Sequence, residues 1–379
     1  MGMDGKLLGQ KTPELEETSV DEQITDWTAL PTEILSFILS RLLLGDFERF
    51  RSVCKTWKLV PSLPVPCPTQ CPIPQSQWLM LYRGCSKMEL NFSHPLYKDT
   101  YRMDIPELSG ALLRCSRDGW LLMSRGGHSV FFFNPFTKAK IDLPDLPHNY
   151  CFNAISFSRA PTSSDCMVFG IYASFDRVKF AIISRGEEKW TGDQLEGEQD
   201  FHHSPTNPVF YNELVYCLGE DGALGVFNPK DFSWKALQNP EKSRHFVFES
   251  YLMECDGKLM AVFVGKKGRG VSVYTLDDSK MAWERVRDLG SKMLFVSHAV
   301  SFSATKVVKG MENKIYFPRF CGKHGVFFSL ATHRYESFGS RLSRKDFQEM
   351  EEPLHCCWIV PKTETHCDGE ALNWLLAAH

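Results

Sequence analysis

The sequence predicts a mainly β protein with a small α domain in front, the β part being a propeller of six blades. Three observations predict it. Residues 30–57, LPTEILSFILSRLLLGDFERFRSVCKTW, carry apolar residues at helical spacing. Residues 61–77, PSLPVPCPTQCPIPQSQ, are dense in proline. From Trp78 to about Pro361, short apolar runs alternate with Gly, Asn, Asp and Pro turns, and helical periodicity nearly disappears.

Each element has its own justification. Residues 1–25 are polar and mostly acidic, a composition that cannot bury enough apolar surface to order itself. Pro31 suits a helix start, where its missing N–H costs little. Ile34, Leu35, Ile38, Leu39 and Leu42 then form a broad apolar stripe. Gly45 ends that helix and Asp46 caps the next. Phe47, Phe50, Cys54 and Trp57 lie three or four apart and make a second stripe. Such a unit holds more apolar surface than its short helices hide from one another, so a partner protein is expected to cover the rest. The alternative cover is the chain's own β domain. The proline-rich stretch argues against it, because repeated proline makes a semi-rigid spacer over 61–77.

The β region repeats itself. Residues 118–144, 212–238, 256–286 and 312–338 share one plan: a turn, an apolar strand, a polar turn, a second apolar strand, and a turn into a third. Residues 166–192 fit it less closely, and 88–106 reproduce its second half. Units of roughly 40–55 residues are the size of propeller blades, which bury both faces by packing on their neighbours. A pair of β-sandwiches is the alternative. HCCWIVP, 355–361, is a lone strand at the end, whereas the first unit, starting at QWLMLY (77–82), is one strand short. Pairing the two closes the ring.

Composition narrows the function. A net charge of −3 gives no nucleic-acid footprint, and no apolar run reaches membrane-helix length. Thirteen scattered cysteines with no secretory leader are expected to be reduced thiols in an intracellular protein, of the nucleus, the cytoplasm or both.

Residues 26–58, DWTALPTEILSFILSRLLLGDFERFRSVCKTWK, resemble an F-box: the LP-x-E-I-L opening, the R-L before the loop, the Asp that starts the next helix and R-x-V-C-K-x-W occur in order. The resemblance implies a three-helix F-box over 26–60 that docks on a Skp-family adaptor, itself held by a cullin–RING ligase. It implies Leu30, Pro31, Ile34, Leu35 and Ile38 on the adaptor-facing surface, with Leu42, Phe50, Val53 and Trp57 partly core and partly contact. LLRCSRDGWLLMSRGGHSVFFFNPFTKAKIDLP and the terminal CCWIVP are similar to the KIB-type β-propeller family found behind F-boxes, mostly in plants. This resemblance implies a propeller over 78–361, a C-terminal tail over 362–379, and the substrate-recognition subunit of a ubiquitin ligase. Such a subunit does no bond chemistry. It raises the effective concentration of a target's lysines near the conjugating enzyme.

Other motifs carry no chemistry. Cys67 and Cys71 lack a second pair or a nearby His for zinc. Cys356-Cys357 read as small buried apolar groups and His202-His203 as solvated surface. GKKGRG, 265–270, reads as a hairpin turn with a weak anion-binding possibility, and the Asn-Pro pairs at 134–135 and 228–229 as turns. No nucleophile, cofactor or metal site is expected, so a propeller enzyme is the least favoured function; a non-proteolytic scaffold is the alternative to the ligase subunit. The protein target is unspecified. The loops least explained by the blade plan, 187–207 and GKKGRG, are the expected places for it.

Overall fold

The computed structural model describes residues 27–39, 50–60, 77–82, 89–93, 100–147, 152–174, 177–196, 201–237, 247–305, 309–322, 324–337, 340–350, 355–360 and 372–375. The expected acidic N-terminus (1–25), the Gly45–Asp46 corner, Leu42 and nearly all of the proline-rich spacer lie outside these residues. The chain divides into two units, Met1–Val65 and Pro66–His379.

In the first unit a helix runs over Thr32–Leu39, with its first bond from Leu35 N to the Pro31 carbonyl at 3.0 Å. Pro31 therefore stands just before the helix and still supplies its carbonyl, a role that needs no N–H. Residues 50–53 are helical, and a last short helix spans Lys55–Lys58. Leu35, Leu39, Phe50 and Val60 form the core, with Leu30, Ile38 and Trp57 packed against it.

The second unit is a ring of six sheets. The first joins Cys356–Ile359 to Trp78–Tyr82, Glu89–Ser93 and Thr100–Asp104. The C-terminal strand thus completes the first blade, pairing antiparallel from Trp78↔Ile359 to Leu81↔Cys356. The next four sheets are four-stranded meanders. They start at the strands Ala111–Arg117, Ala154–Phe157, Val209–Tyr211 and Val247–Cys255. The sixth departs from the plan with six strands. Its Lys292–Phe295 runs parallel to Lys314–Cys321, and Phe302–Thr305 lies beyond it at the edge. Residues 292–295 and 302–305 precede the repeat at 312–338, so the repeat alone does not expose them.

The repeated plan has a physical cause in its turns. Asp118-Gly119, Asn212-Glu213 and Asp256-Gly257 each link two strands with both residues at positive φ, between 48° and 80°. Two-residue hairpins need this handedness to match strand twist, and Asp, Asn and Gly tolerate it best. A second turn recurs one strand later. The Asn134 side-chain oxygen accepts from Phe136 N and Thr137 N, Asn228 from Lys230 N, and Asp277 from Ser279 N and Lys280 N. Each of these turns ends on a left-handed residue, namely Lys138, Phe232 and Met281. The Asn-Pro pairs are therefore turn formers.

The core lies between blades. One buried cluster joins Trp120, Leu122 and Phe132 of the second blade to Ile155, Val168 and Ile183 of the third. The same pattern links third to fourth, fourth to fifth and fifth to sixth. At the closure, Leu79 and Trp358 of the first blade pack on Phe295 and Tyr316 of the sixth. Trp358 Nε1 donates to the Val296 carbonyl at 3.0 Å. Each sheet thus depends on its neighbours to cover it, and two independent sandwiches do not describe the molecule.

One boundary changes. The sequence reading makes 362–379 a tail outside the propeller, but residues 372–375 dock on it. Trp374 is buried against Phe132, with ring centroids 5.9 Å apart. Gly186 N donates to the Trp374 carbonyl at 3.1 Å and Arg185 Nη2 to the Asn373 carbonyl at 2.8 Å. The repeats do not extend this far, so nothing in the pattern marks a single tryptophan as an anchor. Trp374→Ala is expected to lower propeller stability by about 3–5 kcal/mol, read from urea unfolding.

Candidate functional site

Apolar exposure is concentrated in the helical unit. Of the seven large apolar side chains exposed among the described residues, five belong to it: Trp27, Ile34, Phe37, Val53 and Leu59. Ile34 and Phe37 sit three apart on one helix and share a face. They are 47% and 57% exposed, against 0% for Leu35 between them. Below this face the unit is well tied. Trp57 stacks obliquely on Phe50 at 4.5 Å and donates through Nε1 to the Trp27 carbonyl at 3.0 Å. Cys54 caps the last helix, its sulfur accepting from Trp57 N at 3.5 Å.

The structure sorts the residues expected at the adaptor surface. Pro31, Ile34 and Val53 are exposed, and Leu30, Ile38 and Trp57 are half-buried. Leu35, expected on the surface, is fully buried in the unit's own core, and Phe50 is core as well. Leu35 sits one helical step from Ile34 and four from Leu39, and the Leu35–Leu39 stripe points inward. Phe37 was not among the expected residues. Its signal was the i+3 spacing from Ile34, hidden because Ile34, Leu35, Phe37, Ile38 and Leu39 spread apolar side chains over more than one face of the helix.

In the propeller, the inner-strand segments of five blades surround a cavity of about 300 Å³. Asn207 ties them together: its Nδ2 donates to the carbonyls of Arg114 (2.6 Å) and Ala299 (2.8 Å), and its Oδ1 accepts from Ile155 N (3.2 Å). One side chain from the fourth blade thereby bridges to the second, the third and the sixth. Ser204 and Ser250 share a hydroxyl bond of 2.6 Å between the fourth and fifth blades. Between the fifth and sixth, Arg319 pairs with Glu249 at 2.6 Å with both side chains buried. Tyr251 donates to the other Glu249 oxygen, and the guanidinium lies 4.1 Å over Phe347. Each Glu249 oxygen thus has a hydrogen-bonding partner, whereas Arg319 Nε is buried without one, so the pair is satisfied on the carboxylate side only.

Both loops expected to receive a target are more committed than the sequence implied. In 187–207, Trp190 is buried and donates to the Pro144 carbonyl, Thr191–Glu196 is the outer strand of the third blade, and Phe201 is core. His203 is not solvated surface. It bridges to Gly219 in the fourth blade with both ring nitrogens buried, and burial pushes its pKa down to about 4. GKKGRG does form a turn, but helix Arg344–Glu349 covers it. Tyr335 donates to the Gly268 carbonyl, and a Cβ at Gly268 would meet Phe347 at 2.9 Å. Among the buried cysteines, Cys356 and Cys357 lie in the closing strand, and burial pushes Cys115 up to about 11 and Cys166 to about 12. Neither thiol is a thiolate at neutral pH. Among the described residues, no three His, Cys, Asp or Glu side chains converge on one point.

Comparison with known proteins agrees with this architecture. An F-box domain model matches residues 27–63, and a KIB1-4 beta-propeller model matches residues 90–335. An Arabidopsis thaliana F-box/kelch-repeat protein is 34% identical over 331 residues, covering 82% of this chain and 88% of that one. An F-box protein of the same plant is 30% identical over 353 residues, covering 88% and 86%. Among solved structures the chain is similar to apo AztD from Citrobacter koseri, with 10% identity and a TM-score of 0.37, over 75% of this chain and 98% of that one. With an F-box in front and the propeller model spanning most of the six-sheet ring, this chain belongs to the KIB1-4 β-propeller family of F-box proteins.

Proposed function

We propose that the chain is the substrate-recognition subunit of an SCF-type (Skp–cullin–F-box) ubiquitin ligase, working inside the cell in the nucleus, the cytoplasm or both. The F-box docks on the Skp-family adaptor through Pro31, Ile34, Phe37 and Val53. The propeller holds a protein target, and the chain itself carries out no bond chemistry. The observation that carries this reading is the concentration of exposed apolar side chains on a unit too small to conceal them, at the positions of an F-box match. Burying a side chain such as Ile or Phe is worth about 1.5–3 kcal/mol, so a few suffice for a specific contact.

The test is reconstitution. The full chain is assembled with adaptor, cullin, RING protein, activating and conjugating enzymes and ubiquitin, and incubated with proteins captured on it from plant extract. Ubiquitin chains are expected on captured proteins, and their formation is expected to be lost with Ile34→Asp/Phe37→Asp. Captured proteins that stay unmodified in a complete complex would contradict the ligase role and leave a scaffold.

A further inference from the structure

We propose that the basic surface shared by the GKKGRG turn and the helix Arg344–Glu349 binds a carboxylate-rich segment of the protein target. The proposal rests on the ligase reading for what the occupant is, a target protein. Residues 265–270 and 341–345 hold three cations each and no acidic residue, in a chain of net charge −3. Packing brings the two stretches together. Phe347 of the helix lies against Gly268, and Tyr335 donates to the Gly268 carbonyl at 3.1 Å. Arg344 stands three residues before Phe347, on the same side of the helix. Burial pushes the Tyr335 pKa up, and the Arg344 charge opposes that rise from nearby. Lys266, Arg269 and Arg344 are exposed, and none has an ion-pair partner among the described residues.

The carboxylates of the same elements are committed. Asp346 accepts from Ser343 N at 2.6 Å in the helix cap, Glu349 pairs with Lys345 at 3.6 Å, and Glu249 pairs with the buried Arg319. Arg341 lies opposite Glu336 in the strand pairing and so has an acidic neighbour of its own. The platform under the three free cations is held in place. Arg319 Nη1 donates to the Phe347 carbonyl at 3.1 Å, and the Phe347 ring stacks on Tyr335 at 4.0 Å. An ordered surface loses little freedom on binding. Three unpaired cations on it complement a run of carboxylates, and such complementarity governs partner choice and on-rate more than raw affinity. A nucleic acid fits less well, because its high charge density meets a chain whose net charge is negative.

The experiment is fluorescence anisotropy of the full chain, without adaptor, using a rhodamine-labelled peptide of about ten residues, about six of them Asp or Glu, in about 50 mM NaCl. Saturable binding with a Kd of about 10–100 μM is expected, about tenfold tighter than to the matching Asn/Gln peptide. Lys266→Glu/Arg344→Glu is expected to weaken it about tenfold. Lys235→Glu/Lys258→Glu makes the same charge change at exposed positions, on an outer strand of the fourth blade and at the far end of the strand Lys258–Gly265; it is expected to weaken binding less than about twofold. If the first variant does not fold, Lys266→Gln/Arg269→Gln replaces it, with an expected loss of about fivefold. All these variants are expected to keep adaptor co-purification, so this surface and the F-box are tested apart. Peptide binding alongside captured proteins that stay unmodified would sink the ligase role and leave the surface to a scaffold. No binding by the wild type at about 200 μM chain would overturn the proposal. So would equal losses in the patch and control variants, or tighter binding of a single-stranded DNA of the same charge.

Discussion

Deleting residues 355–360 is expected to unfold the propeller. The segment supplies one strand of the first blade, and its four strand residues are all buried. Without it, Trp78–Tyr82 becomes an open edge whose Leu79 and Met80 are fully buried in the intact ring. Trp358 also leaves the pocket against Phe295, where the rings meet edge to face at 5.0 Å, and its bond to the Val296 carbonyl is lost. Losing the tryptophan contact alone is worth about 3–5 kcal/mol. The whole strand adds Ile359 at about 1.5–3 kcal/mol and two buried cysteines, bringing the total into the 5–15 kcal/mol that holds a typical domain folded. Trp358→Ala is the graded version, expected to lower the urea midpoint without abolishing the transition. A truncated chain that keeps the wild-type midpoint would show that the ring is not closed by this strand.

The second large effect separates face from core in the F-box. Ile34→Asp combined with Phe37→Asp is expected to remove adaptor co-purification, a loss of about a thousandfold if each exposed side chain contributes about 2 kcal/mol at the contact. The folded unit is expected to be unharmed, since both positions are exposed. Leu35→Ala is expected to do the reverse. It opens a cavity beside Leu39 and Phe50, costs about 2–5 kcal/mol of the unit's stability, and weakens binding only through unfolding. Melting curves of the two variants beside their co-purification yields make the distinction. If Leu35→Ala leaves the melt unchanged, its assignment to the core is wrong.

These two cases show what the sequence makes legible. Ring closure could be read because a propeller strand is short and its absence in one unit and surplus in another are visible as text. The turns were legible for the same kind of reason: Asp118-Gly119 and Asp256-Gly257 are local chemistry, and left-handed backbone selects those residues wherever it is needed. Leu35 against Ile34 was not legible. In a helix with adjacent apolar residues at 34–35 and 37–39, the inward face is decided by which helices pack on it, not by periodicity. Trp374 and Asn207 were hidden for a stronger reason. Each acts alone, far in sequence from its partners: Trp374 meets Phe132 of the second blade, and Asn207 reaches Arg114 and Ala299. No spacing rule points to a single residue that joins blades across a ring. His203 misled because His202-His203 sits in polar text, whereas its backbone makes an isolated bridge to Gly219 and its ring nitrogens are buried.

The most direct test of the F-box assignment is calorimetric titration of the purified full chain with a purified Skp-family adaptor. A one-to-one complex with a Kd below about 1 μM is expected, since several exposed apolar side chains meet a preformed partner surface. A folded chain that gives no binding heat with adaptor at tens of times that concentration would contradict it.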